Sequence, residues 1–321
     1  MQKKRFKISK YDLLKGYFFL FGFPKDGFVS IDVTNKCNLR CKHCYFFEQD
    51  VEEHELKADE WYEKLLEMKR KKTIPFLQCT WVGGEPLLRK DLIEKGRKLF
   101  KYNTIVTNGS FPIPDWKDNV NFYISIDGDE ERHDLVRNKQ GLYQKIKKTI
   151  TESPVPVTVA FCINNLNHHS VEKCFHEWRN HPNVKNFCFD FYTPIETLSD
   201  DLAMSWELRD SLVDRLSRLK EQYPDFLAID LEVLELMRSD RCRKVTDDCV
   251  FARQASAFDP SGIRKAKCML GDKADCDRCG CVVPFYMYSL THKPTVIKNT
   301  LRKWFVKPFR KKAPLKEPVY P

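Results

Sequence analysis

Apolar runs recur along the first two-thirds of the chain, and each is followed by a stretch with helical spacing. Residues 28–33, 76–82, 103–106, 121–126, 155–163 and 186–192 read as strands, rich in Val, Ile and Phe. Residues 58–70, 90–100, 141–151 and 170–180 repeat apolar positions every three or four residues and read as helices. Such β-then-α units predict an α/β fold, a parallel sheet with crossover helices. About six units fall short of the eight that close a barrel. The expected form is a partial, TIM-like (β/α)6 barrel over 28–196, with a small C-terminal cysteine-rich cap over 249–290. Between them, 197–248 reads as a helical bridge, with Leu208, Leu212, Leu216 and Leu219 at helix spacing. Asp259-Pro260-Ser261-Gly262 is a turn signal between Phe258 and Ile263, predicting a small hairpin that leads to Cys268.

Composition narrows the class. A chain of 321 residues with 42% apolar positions, six Trp and 23 Phe is a folded protein, not a disordered one. Thirteen cysteines in a chain of this length, with no convincing signal peptide, do not read as a secreted disulfide framework. A reducing cytosol is the expected location. The net charge of +10 sits in two tails: residues 1–10 carry five Lys/Arg and no acid, and 291–321 carry nine Lys/Arg against Glu317. The body between them is mildly acidic.

Three cysteines fall within eight residues, Cys37, Cys41 and Cys44, spaced C-x3-C-x2-C on a loop that follows the first strand. A 4Fe–4S cube takes one ligand per iron. Three thiols leave the fourth iron open to another molecule, whereas a structural zinc site closes all four positions. Later strand ends carry Gly83-Gly84-Glu85-Pro86, Thr107-Asn108-Gly109 and Ser125-Ile126-Asp127-Gly128, then His133-Asp134 and Arg137. Reactive groups gather at this C-terminal edge of parallel sheets. Paired glycines let backbone approach a ligand. Glu85 can receive an ammonium, Ser125 and Asp127 can bind hydroxyls, and Arg137 can clamp a carboxylate. These are the polar handles of S-adenosylmethionine (SAM).

With these motifs in this order, the chain resembles the radical SAM superfamily across about residues 28–193. The resemblance implies that Cys37, Cys41 and Cys44 hold a 4Fe–4S cluster whose open iron is chelated by SAM. It implies that Gly83, Gly84 and Glu85 meet the methionine ammonium, and that Asn108, Ser125, Asp127 and Arg137 belong to the SAM site. His43 occupies the place of the aromatic residue usual beside the adenine. The implied chemistry is reductive cleavage of SAM to a 5′-deoxyadenosyl radical, fed by an electron donor such as ferredoxin or flavodoxin.

Cys249, Cys268, Cys276, Cys279 and Cys281 form a second group, C-x12-G-x5-C then C-x2-C-x-C. It is similar to the SPASM/twitch extensions of the superfamily and implies one auxiliary Fe–S cluster held by four of the five. Cys242 lies just upstream as a substitute, and a four-cysteine zinc site is the rival. Cys79, Cys162, Cys174 and Cys188 read as core residues. In the tail, Ile297, Leu301, Trp304 and Phe305 share a helix face among basic residues, and 11–23 follows a basic run. Both suit an anionic membrane surface, and the plan is loosely similar to that of hopanoid-adenosylating enzymes. The leading expectation for the substrate is therefore an isoprenoid or other membrane lipid. A peptide or protein is the alternative, although 1–27 is short for a leader-binding domain. A non-catalytic Fe–S or zinc protein is a third reading. No RNA-binding module is visible, so nucleic acid ranks lower.

Overall fold

Seven parallel strands make one open sheet: β1 (Phe28–Asp32), β2 (Gln78–Val82), β3 (Tyr102–Thr107), β4 (Val120–Ser125), β5 (Val157–Ile163), β6 (Val184–Phe191) and β7 (Ala255–Phe258). Their order in space is β6-β5-β4-β3-β2-β1-β7. The structure, a computed structural model, describes residues 28–292 apart from 50–52, 72, 75 and 199. The first six strands lie in chain order, each reached by a crossover, as the sequence predicts for a partial barrel.

The crossover helices follow from local signals. In α1 (Ala58–Arg70), Trp61 and Leu65 are one turn apart and buried, and the Lys57 N–H donates to Glu60 at 2.6 Å. The predicted 90–100 helix is α2 (Lys90–Gly96), finished by a tighter turn over Arg97–Leu99. An additional helix, α3 (Glu130–Arg137), is capped by Asp129 accepting from the Arg132 N–H and stopped by Asn138 at φ 54°. Its sequence is almost wholly polar, with His133 and Val136 alone buried, so it shows no apolar period. The helices α4 (Leu142–Thr151) and α5 (Val171–Asn180) complete the barrel, each with four buried side chains. The bridge is α6 (Trp206–Gln222), α7 (Leu231–Leu236) and α8 (Cys242–Thr246). Ser205 caps α6, and Leu212, Leu216 and Leu219 form its buried stripe.

Alternation along the strands separates two environments. Ile31, Trp81, Ile105, Phe122, Ile124 and Phe187 are fully buried on the helix side. The lumen side carries small or polar residues, Ser30, Thr80, Thr104, Ser125, Ala160 and Cys188, alongside Phe28, Val82, Val106 and Tyr123. Closed barrels fill this space with branched side chains. Here the lumen stays hollow, with a cavity of about 480 Å³. Cys162 and Cys188, expected in the core, line this cavity, whereas Cys79 and Cys174 are core residues.

The seventh strand is a departure from the six-unit expectation. Residues 255–258 read Ala-Ser-Ala-Phe, too short and too small to show strand periodicity. Pairing makes them a strand: Phe28 lies opposite Ala255 and Ile31 opposite Phe258. The predicted hairpin is present, and β7 is its first arm, with Phe258 bridged to Arg264. Its turn docks on α1 through Trp61 Nε1, which donates to the Pro260 carbonyl at 3.2 Å. Lys265, just past the turn, forms a buried ion pair with Asp32 at the end of β1. Two short helices, α9 (Val250–Gln254) and α10 (Val282–His292), flank the cap. At the other edge, the Phe187 N–H donates to Phe226 and its carbonyl accepts from Ala228, so the bridge covers β6.

Trp81 and Asn103 are paired on the outer face. Trp81 Nε1 donates to Asn103 Oδ1 at 2.9 Å, and Asn103 Nδ2 donates to the Arg97 carbonyl at 3.0 Å. Replacing Trp81 by Phe leaves Asn103 Oδ1 without its donor and opens a gap beneath Gly96. We expect a loss of about 2–4 kcal/mol, read as a lower urea midpoint with unchanged m.

Candidate active site

The three-cysteine loop runs across the C-terminal mouth of the barrel, and Cys37, Cys41 and Cys44 all line the cavity. Its conformation is dictated by the next strand end. The Gly84 N–H donates to the Thr34 carbonyl and the Glu85 N–H to the Lys36 carbonyl, both at 2.9 Å. A Cβ on Gly84 would stand 2.2 Å from the Lys36 oxygen, and Gly83 sits at φ 110° with its own Cβ position 2.9 Å from the Thr34 oxygen. The paired glycines are therefore needed for loop-on-loop contact, and both also line the cavity. On the far side, Asn108 Nδ2 donates to Asn38 Oδ1 at 2.9 Å and lies 3.8 Å from the Cys37 sulfur.

Glu85 is engaged by the ends of two strands. Its carboxylate is wholly buried and accepts from Thr107 Oγ1 (2.6 Å), the Asn108 N–H (2.9 Å) and the Leu87 N–H (2.9 Å). Burial pushes its pKa up, and these donors oppose the shift. With both oxygens occupied and the side chain absent from the cavity wall, Glu85 ties the end of β2 to the end of β3. It is a brace for Asn108.

Asp127 and Arg137 likewise face each other. Asp127 is fully buried, accepts from Arg137 Nε at 2.5 Å and from the Cys162 N–H at 2.8 Å, and has His43 Nε2 at 3.4 Å. Burial raises its pKa, but the Arg137 charge beside it outweighs this and holds the carboxyl below the ordinary value. Burial also works against the Arg137 charge, and Asp127 more than offsets it. Asp127 is thus a partner of Arg137. Arg137 lines the cavity and reaches 3.8 Å from the Cys41 sulfur, so it presents a fixed positive charge beside the thiols. His43 lines the cavity too, and burial lowers its pKa to about 4, leaving a neutral ring. Ser125 lines the wall at the end of β4.

The second cysteine group converges. Cys249, Cys268, Cys276, Cys279 and Cys281 all line a separate small hollow of about 50 Å³. Cys242 does not. Its sulfur lies under α6, 3.8 Å from Arg209 Nη2. Thr193, Phe251, Met269, Leu270 and Cys281 line both the hollow and the main cavity, so a single wall separates them. Tyr45 stands between the thiol sets. Burial drives its phenol pKa well up, and Asp32, Cys44, Cys268 and Cys281 push the same way.

The donor sets fit iron–sulfur clusters better than one small ion. Among the described residues, no three of His, Cys, Asp and Glu converge closely enough for a single metal ion. Thiolates on one tetrahedral zinc lie only about 3.8 Å apart, whereas a cluster spreads its thiolates over different irons. Burial holds the free thiols protonated, Cys44 at about 11 and Cys279 at about 12. Loading either site therefore releases protons. The sequence missed the bracing residues Asn38 and Thr107, and it missed Asp190, which reaches the cavity from β6. An Asp among Phe187, Phe189 and Phe191 was the available signal.

Residues 31–176 match the family model described as "Radical SAM superfamily". The sporulation killing factor maturation protein SkfB of Bacillus subtilis (strain 168) is 30% identical over 154 residues, 43% of this chain and 36% of SkfB. Among solved structures, Streptococcus suis SuiB bound to precursor peptide SuiA superposes with a TM-score of 0.59 at 13% identity, covering 94% of this chain and 74% of SuiB. Native anSMEcpe with bound AdoMet gives 0.60 at 15% identity, covering 83% of this chain and 82% of that one. At such identities the two structures establish the shared fold. The chain spans about a third of the length of the curated relatives it matches. The likeness to hopanoid-adenosylating enzymes is not shown by these comparisons. The segments that motivated it, 11–23 and 297–305, lie outside the described residues. Among the described residues no helix is long and apolar enough to cross a membrane.

The glycine contact generates a test. Gly84→Ala displaces the Lys36 carbonyl and with it the loop of Cys37, while the cap is untouched. After anaerobic reconstitution, we expect the iron and sulfide content to fall to about half of wild type.

Proposed function

We propose that this chain is a radical SAM enzyme that modifies a peptide or protein substrate. Cys37, Cys41 and Cys44 would hold the first 4Fe–4S cluster. Gly83, Gly84, His43, Asn108, Ser125 and Arg137 would surround SAM. The late cysteines would hold an auxiliary cluster. When bound, the cluster and SAM together supply one-electron cleavage of a sulfonium, and hence a carbon radical able to take hydrogen from an unactivated C–H bond. The electron would come from a ferredoxin- or flavodoxin-type donor.

The observation that carries this reading is the pair of thiol-lined hollows sharing one wall. A cavity of about 480 Å³ lies within the ordinary range for a cofactor-sized ligand. The chain's own residues do three things there. Asn108, with Glu85 behind it, fixes the cysteine loop. Arg137, anchored by Asp127, sets a positive charge beside Cys41, which favours the thiolate form of a ligand. Phe46, Phe47, Phe251 and Leu270 line the cavity with apolar surface and exclude water from a reactive intermediate.

The peptide reading replaces the lipid one as the better supported. SkfB is named for maturation of a killing factor, and SuiB was solved with a precursor peptide. Nothing among the comparisons favours a lipid. Reconstituted protein is expected to carry about eight irons and, with dithionite and SAM, to release 5′-deoxyadenosine. Cys37→Ala should abolish the nucleoside and retain about half of the iron. Turnover with a pool of cell peptides should give a mass shift in a peptide; mass shifts confined to a lipid extract would reverse the substrate assignment.

A further inference from the structure

Three Arg or Lys residues are buried among the described residues: Arg97, Arg209 and Lys220. Arg97 faces Asp118 at 3.3 Å, and Lys220 faces Asp230 at 3.8 Å. Arg137 and Lys265, nearly as enclosed, pair with Asp127 and Asp32. Arg209 differs. It lies in the first turns of α6, is 4% exposed, and has no Asp or Glu in ion-pair range among the described residues; its contacts go to carbonyls, a sulfur and rings. Its Nε has no hydrogen-bond partner. Acids nearby are engaged elsewhere: Asp210 accepts from the Ser239 N–H at 2.9 Å, and Asp277 faces Arg243 at 3.5 Å.

What Arg209 does touch leads to the small hollow. Nη1 donates to the Arg278 carbonyl at 3.2 Å and Nη2 to the Cys279 carbonyl at 2.8 Å. The Cys242 thiol donates to the same Cys279 oxygen at 3.6 Å. The guanidinium also lies over the rings of Phe191 and Trp206, 5.0 and 4.9 Å from their centroids. Carbonyls and rings offset part of the cost of a desolvated charge, but a buried ion without a counter-charge is strongly unfavourable. Cys279 lines the hollow together with Cys249, Cys268, Cys276 and Cys281. A cluster held there by four thiolates is an anion, and its negative charge grows on reduction. The unbalanced cation and the anionic site are one residue apart.

We infer that Arg209 is the counter-ion of the auxiliary cluster and raises its reduction potential. This rests on the radical SAM reading above. Arg209 is a positioning residue in this role, since it touches the backbone of Cys279 and not the reacting atoms. Reduction adds negative charge, so a fixed cation stabilises the reduced cluster more than the oxidised one. The two thiol sets differ in this respect. Arg137 beside Cys41 carries Asp127 with it, which cancels much of its field, whereas Arg209 acts with its whole charge. Removing that charge makes the auxiliary cluster harder to reduce and leaves the first cluster as it was.

The test is a redox titration of the reconstituted full chain, followed by electron paramagnetic resonance, with Cys37→Ala used to assign the auxiliary signal. Two variants separate charge from geometry. Arg209→Gln removes the charge and keeps an amide donor, whereas Arg209→Lys keeps the charge and loses the planar fork. Arg209→Gln should lower the equilibrium constant for one-electron reduction of the auxiliary cluster at least tenfold, about 59 mV. Arg209→Lys should stay within about threefold of wild type, and the first cluster should titrate alike in all three proteins. Loss of the auxiliary iron from Arg209→Gln with retention in Arg209→Lys would also support the assignment, because the anionic centre then needs the charge to form. An unshifted Arg209→Gln, equal shifts in both variants or in both clusters, or loss of the iron from both variants would each overturn it. A wild-type chain whose second site takes zinc or no metal would instead defeat the auxiliary-cluster reading on which the assignment rests.

Discussion

The close approach of two backbones, 34–36 and 83–85, organises the mouth of this barrel. Nothing but hydrogen fits between Gly84 and the Lys36 carbonyl, and two N–H···O bonds close the contact. The cysteine loop is therefore shaped by the strand next to it rather than by its own short sequence. Glu85 extends the same logic one strand further: its buried carboxylate gathers Thr107 and the Asn108 backbone, and the Asn108 amide returns to Asn38. Three strand ends and one loop thus form a single hydrogen-bonded rim. A charged side chain accepts burial there because every donor around it points inward.

A hollow lumen is the other precondition. The strands put most of their large apolar residues outward, against helices, and leave mainly small or polar ones within, apart from Phe28, Val82, Val106 and Tyr123. That inverts the usual filling of a closed barrel. It leaves room for a ligand, and it exposes Cys162, Cys188 and Asp190 to the same space. The Arg137–Asp127 pair is a fixed electrostatic element in the wall: the positive charge reaches the thiols, and its counter-charge is buried behind it.

Much of this was legible in the residues. Strong period-two and period-3.6 patterns located six strands and the four main crossover helices, because each buries one full apolar face. Spacing identified both cysteine groups. What the sequence withheld was relational. The strand at 255–258 owes its existence to pairing with β1 and has no pattern of its own. The helix at 130–137 owes its existence to its caps. Glu85 and Asp127 have the chemistry of ligand contacts, but their partners come from other strands and loops, and only the fold shows that those partners occupy them. Cys162 and Cys188 look like core thiols until the lumen is seen to be empty of bulk.

Pairing of β1 with β7 also bears on the order of synthesis. The strand that launches the cysteine loop is flanked on one side by Gln78–Val82 and on the other by Ala255–Phe258, and Asp32 waits for Lys265. A nascent chain leaving the ribosome cannot finish the surroundings of its cysteine loop until Lys265 has emerged.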